Sequence, residues 1–210
     1  MKSDEYQKYF PDYVLTYGDY WNEQMNIPGK SVTIGAPHFY HSIRKYKQVE
    51  EKKNTILVVS QGSMTKEFVR IAKFLAEKLP TYRIVFKLHP GEVPFEDRYK
   101  SLYMYDNVIV AKYGDIYKFI AECEQIVACY STTVFEAMGF DKKIYILDNE
   151  LSRVQIPKEV GMRFKENKEL EELIKNNEEQ ETTYDLSYYF NPDWKKNYKR
   201  FLEEKVDATL

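Results

Sequence analysis

Four short segments of this 210-residue chain carry hydroxyls, glycines, an imidazole and a carboxylate in patterns that could hold an anion. In residues 130–137, YSTTVFEA, Ser131, Thr132 and Thr133 fall where a helix should begin. Three hydroxyls there join the free N–H groups and the positive dipole end of the helix, which is the chemistry of a phosphate site. Plain N-capping by Ser131 or Thr132, with Glu136 closing a capping box on Thr133, would need only one of those hydroxyls. Glu136 could also accept from the two hydroxyls of a ribose. In residues 87–92, KLHPGE, His89 directly follows an apolar run and Pro90 holds it extended. An imidazole there can donate to a phosphate oxygen; the plainer role is to cap the loop. In SQGS, residues 60–63, Gly62 permits close backbone approach and Ser63 adds a hydroxyl, although any tight turn favours such residues. In AKYGDIY, residues 111–117, Tyr113 and Gly114 could border and pair with the edge of a base. A turn capped by Asp115 explains them equally well.

The elements that must position these segments follow from two alternating periods. TILVVS (55–60), RIVFKL (83–88), NVIVAK (107–112), QIVACY (125–130) and KKIYIL (142–147) read as strands. Between them lie a helix over 65–79, capped by Thr65 and stopped by Pro80, one over 115–123, and a short one opened by STTVFEAMG. HPGEVP reads as a loop. The pattern predicts an α/β fold, a doubly wound Rossmann-like parallel sheet of about five to six strands flanked by helices. Apolar runs without clean alternation suit strands covered on both faces. All four segments then lie at the carboxyl ends of strands, where such sheets bind ligands. Convergence of His89 and the hydroxyls on one phosphate requires neighbouring strand tips; an intervening strand would part them.

The ends read differently. Residues 1–50 hold two strand-like pieces, YVLTYG and KSVTIG, and the polar linker IRKYKQVEEKKN, with His38 and His41 beside it. They read as the remnant of a first domain. Residues 51–180 are expected to form a Rossmann-like nucleotide-binding domain, closing on an N-capped helix from Asn167. Residues 181–210 form an extension after a polar break, NEEQETT. Its last helix starts at Pro192 and shows Trp194, Tyr198, Phe201 and Leu202 on one face. Left bare, that stripe favours association.

Composition narrows the function classes. With 43% apolar and 30% charged residues the chain can close a core and solvate its surface, so it is not a disordered chain. Lys+Arg 31 against Asp+Glu 33 gives a charge of −2 and no general attraction to nucleic acid or anionic lipid. Cys123 and Cys129 suit reduced thiols in a cytoplasmic core, and the scattered histidines offer no metal-ligand spacing. No apolar run reaches the roughly 18 residues of a membrane span, and the first residues are too polar for a signal peptide.

Together, His89-Pro90, Ser131-Thr132-Thr133 and the following Phe135-Glu136-Ala137 resemble the C-terminal, donor-nucleotide-binding half of a GT-B type bacterial glycosyltransferase. The nearest flavour is that of capsule and lipooligosaccharide sialyltransferases and CDP-glycerol glycerophosphotransferases, which share an HP motif and a downstream Ser/Thr motif. The likeness spans roughly residues 11–148, with PDYVLTYGDYW and KSVTIGAPHF resembling the passage between the two domains. It implies a CMP-, CDP- or UDP-linked sugar or polyol donor as substrate, no separate cofactor, no metal, and a glycan acceptor. His89 would then act catalytically, stabilising the leaving phosphate together with the hydroxyls. The acceptor site and base would come from a missing N-terminal domain or a homo-oligomer partner. The implied location is the cytoplasm, with the inner membrane face kept open. Two other readings stand: a UDP-N-acetylglucosamine 2-epimerase-like isomerase, and a nucleotide-binding module without turnover.

Overall fold

A computed structural model describes residues 8–176 and 184–206; the NEEQETT break lies outside the described residues. Contacts divide the chain into two compact units, Met1–Arg44 with Asp185–Leu210, and Lys45–Tyr184.

In the smaller unit, β1 (Tyr13–Thr16) and β2 (Lys30–Thr33) pair in parallel with Tyr13 opposite Lys30. Aromatic packing holds the C-terminal segment to them. Phe190 stacks on Phe39 at 4.0 Å between ring centres, and the Trp21 indole donates to the Tyr189 carbonyl at 2.7 Å. The last helix, Trp194–Phe201, starts two residues after Pro192, with Asp193 at its N-cap. Its apolar stripe is covered only in part, and no residue of the helix is buried. Phe201 meets Tyr13 edge-on at 5.4 Å, Asn197 donates to the Ile34 carbonyl at 3.1 Å, and Tyr198 stays 44% exposed. His38 and His41 sit on a helix, Pro37–Tyr46, that begins before the expected linker and continues into it.

The larger unit is built on six parallel strands: β3 (Thr55–Val59), β4 (Arg83–Lys87), β5 (Val108–Ala111), β6 (Gln125–Ala128), β7 (Lys143–Leu147) and β8 (Met162–Phe164). Their order is β5-β4-β3-β6-β7-β8. This is an α/β, Rossmann-like sheet flanked by helices. Every residue of β3 is buried. Ile56, Val58, Ile84 and Phe86 join a core with Phe68, Ile71 and Leu75 of the helix Thr65–Lys78. The opposite parity, Leu57, Ile126 and Ile144, is equally closed, which explains the unbroken apolar runs. Each fully buried Ile, Leu or Phe side chain contributes about 1.5–3 kcal/mol.

Several local expectations are corrected. Thr65 is the first helical residue, with Met64 at the N-cap, and its hydroxyl donates back to the Gly62 carbonyl at 3.0 Å. Glu166, rather than Asn167, occupies the N-cap of the helix Asn167–Lys175. The HPGEVP loop opens a long 3₁₀ run, Pro90–Leu102, broken at Phe95 by non-helical dihedrals. Its Pro94 and its irregular apolar spacing hide the helical character from a search at a period of 3.6.

Candidate functional site

Strand order changes direction at β3: β4 and β5 follow on one side, while β6, β7 and β8 return on the other. The loops after β3 and β6 therefore diverge and leave a crevice at the carboxyl edge. A cavity of about 490 Å³ lies there, within the ~300–1,000 Å³ range usual for small-molecule sites. It is lined by Val59, Ser60 and Gln61 after β3, by Lys87, Leu88, His89 and Pro90 after β4, by Gly114 and Ile116, and by Tyr130, Ser131, Thr132, Thr133 and Glu136 after β6.

His89, Pro90, Gly114, Ser131, Thr132, Thr133 and Glu136 thus come together as lining of one cavity. The condition of neighbouring strand tips is not met, because β3 lies between β4 and β6. The imidazole and the hydroxyls flank the β3 tip, and a group held by both would have to reach across it. Gly62 and Ser63 do not line the cavity. They belong to a 3₁₀ turn, Gly62–Met64, in which Gly62 faces the Glu92 side chain and the Ser63 hydroxyl bonds that of Tyr130. Tyr113 is 76% exposed and lines an adjoining cavity of about 420 Å³ with Lys87, Pro90, Val93, Pro94, Lys112 and Gly114.

The capping role read for His89 is present. Its Nδ1 accepts from the Gly91 N–H at 3.1 Å while its own N–H donates to Glu92 Oε2 at 2.9 Å. An Nδ1 that accepts selects the neutral tautomer with its proton on Nε2. One nitrogen therefore fixes the ring, and the other carries the donor. Glu92, 4% exposed, holds this arrangement in place: Oε1 accepts from Ser60 Oγ at 2.9 Å and from the Tyr99 hydroxyl. Burial and then the Glu92 bond push the Tyr99 phenol above its ordinary range. One buried carboxylate thus ties the β3 tip to the histidine loop.

On the other side, Ser131 Oγ accepts from the Thr133 N–H at 3.2 Å, which leaves its hydroxyl hydrogen to donate elsewhere. Thr132 is exposed and makes no side-chain cap bond. Glu136 Oε1 accepts from the Tyr117 hydroxyl at 2.9 Å. Gln61 Oε1 accepts from the Tyr130 N–H at 3.2 Å and so spans the crevice between β3 and β6. Gly114 has φ +110°, and a Cβ there would stand 2.8 Å from Phe119 Cε2, so the backbone itself requires glycine. Asp115 caps the next helix by accepting from the Tyr117 N–H at 3.1 Å. Burial alone would raise its carboxyl, but the Tyr46, Tyr117 and Lys45 donors outweigh that and hold it below its ordinary value.

Lys87, Gln61, Tyr130 and Glu92 escaped the reading of candidate residues. Lys87 left a signal, a charge on the last position of an apolar strand. Glu92 left only the three-residue capping spacing from His89, since its other partners, Ser60 and Tyr99, are joined to it only by the fold. Among the described residues no cluster of three or more His, Cys, Asp or Glu could hold a metal ion, and no helix is long and apolar enough to cross a membrane.

No family model matches the chain, and no curated protein matches it in sequence. Solved structures do resemble it in fold. A UDP-GlcNAc 2-epimerase from Neisseria meningitidis bound to UDP-GlcNAc superposes with a TM-score of 0.63 at 17% identity, over 89% of this chain and 58% of that one. The pneumococcal O-GlcNAc transferase GtfA, in complex with UDP and GlcNAc, gives 0.59 at 13% identity over 93% and 45%. The wall teichoic acid polymerase TagF gives 0.54 at 12% identity over 98% and 59%. The chain spans roughly half to three-fifths of the length of these structures, and at these identities the likeness is one of fold.

Proposed function

We propose that the larger unit binds the nucleotide phosphates of an activated sugar or polyol, as the donor half of a GT-B type glycosyltransferase. The observation that carries this reading is the single cavity at the β3/β6 switch point, lined by His89 and by Ser131, Thr132 and Thr133. Its polar groups suit an anion. The Nε2–H of His89 and the Ser131 and Thr132 hydroxyls donate, and a ligand spanning the β3 tip engages both groups. A carboxylate accepts up to about four hydrogen bonds, so Glu136 can receive ribose hydroxyls as well as the Tyr117 phenol. The adjoining cavity at Tyr113 then takes the base.

In a transfer reaction, negative charge grows on the leaving phosphate as the sugar bond breaks, and donors fixed in advance stabilise that charge. His89 is fixed by its own cap and by Glu92. This half contributes donor binding and leaving-group stabilisation; the acceptor and the general base belong to a partner domain or a second copy. The donor carries CMP, CDP or UDP, and the product is a bacterial surface glycan, of capsule, lipooligosaccharide or teichoic-acid kind, made on the cytoplasmic side. The likeness of GtfA and TagF in fold supports the transferase reading.

A thermal-shift panel of CMP, CDP, UMP, UDP and GDP tests it. At least one nucleotide should stabilise the protein in proportion to its excess over Kd; no shift with any of them would sink the proposal. Product analysis with UDP-N-acetylglucosamine alone, without acceptor, tests the isomerase alternative, since epimerisation needs no second substrate.

A further inference from the structure

Lys87 ends β4 with its side chain almost entirely out of water, at 6% exposure. Its Nζ donates to the Leu88 carbonyl at 2.8 Å and to the Lys112 carbonyl at 3.3 Å. Among the described residues it forms no ion pair. Glu92 is the carboxylate whose charge bears on it most, but both oxygens of Glu92 are already committed to Ser60, Tyr99 and His89. An ammonium has three protons, and two carbonyls use two of them. A cation removed from water without a counter-charge is costly, and native proteins normally pair it. Lys87 also lines both cavities at the carboxyl edge of the sheet, together with Pro90 and Gly114.

We propose that Lys87 is an anion-binding residue whose counter-charge is the ligand's own diphosphate, held where the two cavities meet. The proposal rests on the nucleotide reading above only for the identity of the attached group. The ligand brings the third hydrogen-bond acceptor and a negative charge in direct contact; the fold supplies only the Glu92 charge without an ion pair and the Phe119 ring 6.0 Å from Nζ. Burial holds the lysine below its ordinary pKa when no anion is present, and a bound anion reverses that tendency. A purely structural lysine would instead stitch the loops after β4 and β5 through the Leu88 and Lys112 carbonyls. That role predicts a loss of stability on substitution and no change in charge selectivity.

The test uses inorganic pyrophosphate, UDP and uridine on the wild type, Lys87→Met and Lys87→Gln. Gln keeps an amide donor for the carbonyls without the charge. In both variants the affinity for pyrophosphate should fall by at least about tenfold, the scale of one lost charge-assisted contact, and in Lys87→Gln, which can still donate to the carbonyls, the ligand-free melting temperature is kept. UDP should follow pyrophosphate, and uridine should not respond to the substitution. Equal pyrophosphate affinity in the variants would overturn the proposal. Pyrophosphate binding that depends on Lys87 while no nucleotide binds would uphold it and remove the nucleotide reading instead.

Discussion

His89 shows why a capping role and a ligand role need not compete. The cap uses Nδ1 and leaves Nε2 as the donor, so the two functions occupy different atoms of one ring. Two substitutions separate them. In His89→Asn the amide oxygen can still accept from Gly91, so the fold should keep its stability while nucleotide affinity drops by about 1.5–3 kcal/mol. His89→Ala should lose that affinity and a further ~0.5–2 kcal/mol of stability, the usual value of a cap. Denaturation midpoints and nucleotide titrations read the two effects separately; full affinity in a folded His89→Asn protein would take the imidazole out of the site. Lys87 supplies a pH signature. Burial lowers its pKa from 10.5, so the folded state sheds this proton before the unfolded state does. Unfolded chains then bind more protons, and the contribution of this group to stability rises with pH over the interval below 10.5. Lys87→Met should flatten that rise in a series of alkaline melts.

Five of the six sheet strands were legible as compact apolar runs; β8, Met162–Phe164, is only three residues long and carries no such run. Residues Thr55–Val59 and Arg83–Lys87 agree with TILVVS and RIVFKL to within a residue. Loop-borne features were legible as chemistry but not as geometry. His89-Pro90 and Ser131-Thr132-Thr133 could be picked out by type, whereas the placement of β3 between their strands depends on the crossover to β6, which no local pattern records. Glu92 was hidden for a similar reason, as its partners lie 32 residues upstream and seven downstream. The loop after β5 gives a prediction of its own. Gly114→Ala places a side chain at φ +110° against Phe119, and strain of this kind costs about 1–3 kcal/mol. The expected result is a lower melting temperature together with weaker nucleotide binding, since Gly114 lines both cavities. An unchanged melting temperature would show that the loop relaxes freely and that its backbone is not what requires glycine.

At the scale of the whole molecule, the reduced thiols expected from the sequence become reporters of the folded core. Cys123 and Cys129 flank β6, the strand beside the switch point, and are 1% and 0% exposed. Burial pushes the Cys123 thiol up to about 12 and raises that of Cys129 as well. The thiolate is the reactive form, so a thiol reagent at neutral pH has to wait until the unit Lys45–Tyr184 opens. Cys123 donates to the Ile120 carbonyl at 3.3 Å, and Cys129 accepts from Asn149 Nδ2 at 3.2 Å. The Cys129 contact fails when β6 leaves the sheet; the Cys123 bond lies within the end of the preceding helix, and Cys123 is protected by its burial. The two residues should therefore label at one common rate in the native protein, far slower than in denaturant. A ligand that binds only the folded unit reduces the open population by the factor 1 + [L]/Kd, so nucleotide at 100 times its Kd should slow both labelling rates about a hundredfold. Mass spectrometry of the labelled peptides distinguishes the outcomes. Equal slowing at both cysteines means that nucleotide binding stabilises the core as one cooperative unit. If Cys129 alone remains fast, the end of β6 that bears Ser131 opens locally, and the candidate site is the least stable part of the sheet rather than a rigid platform.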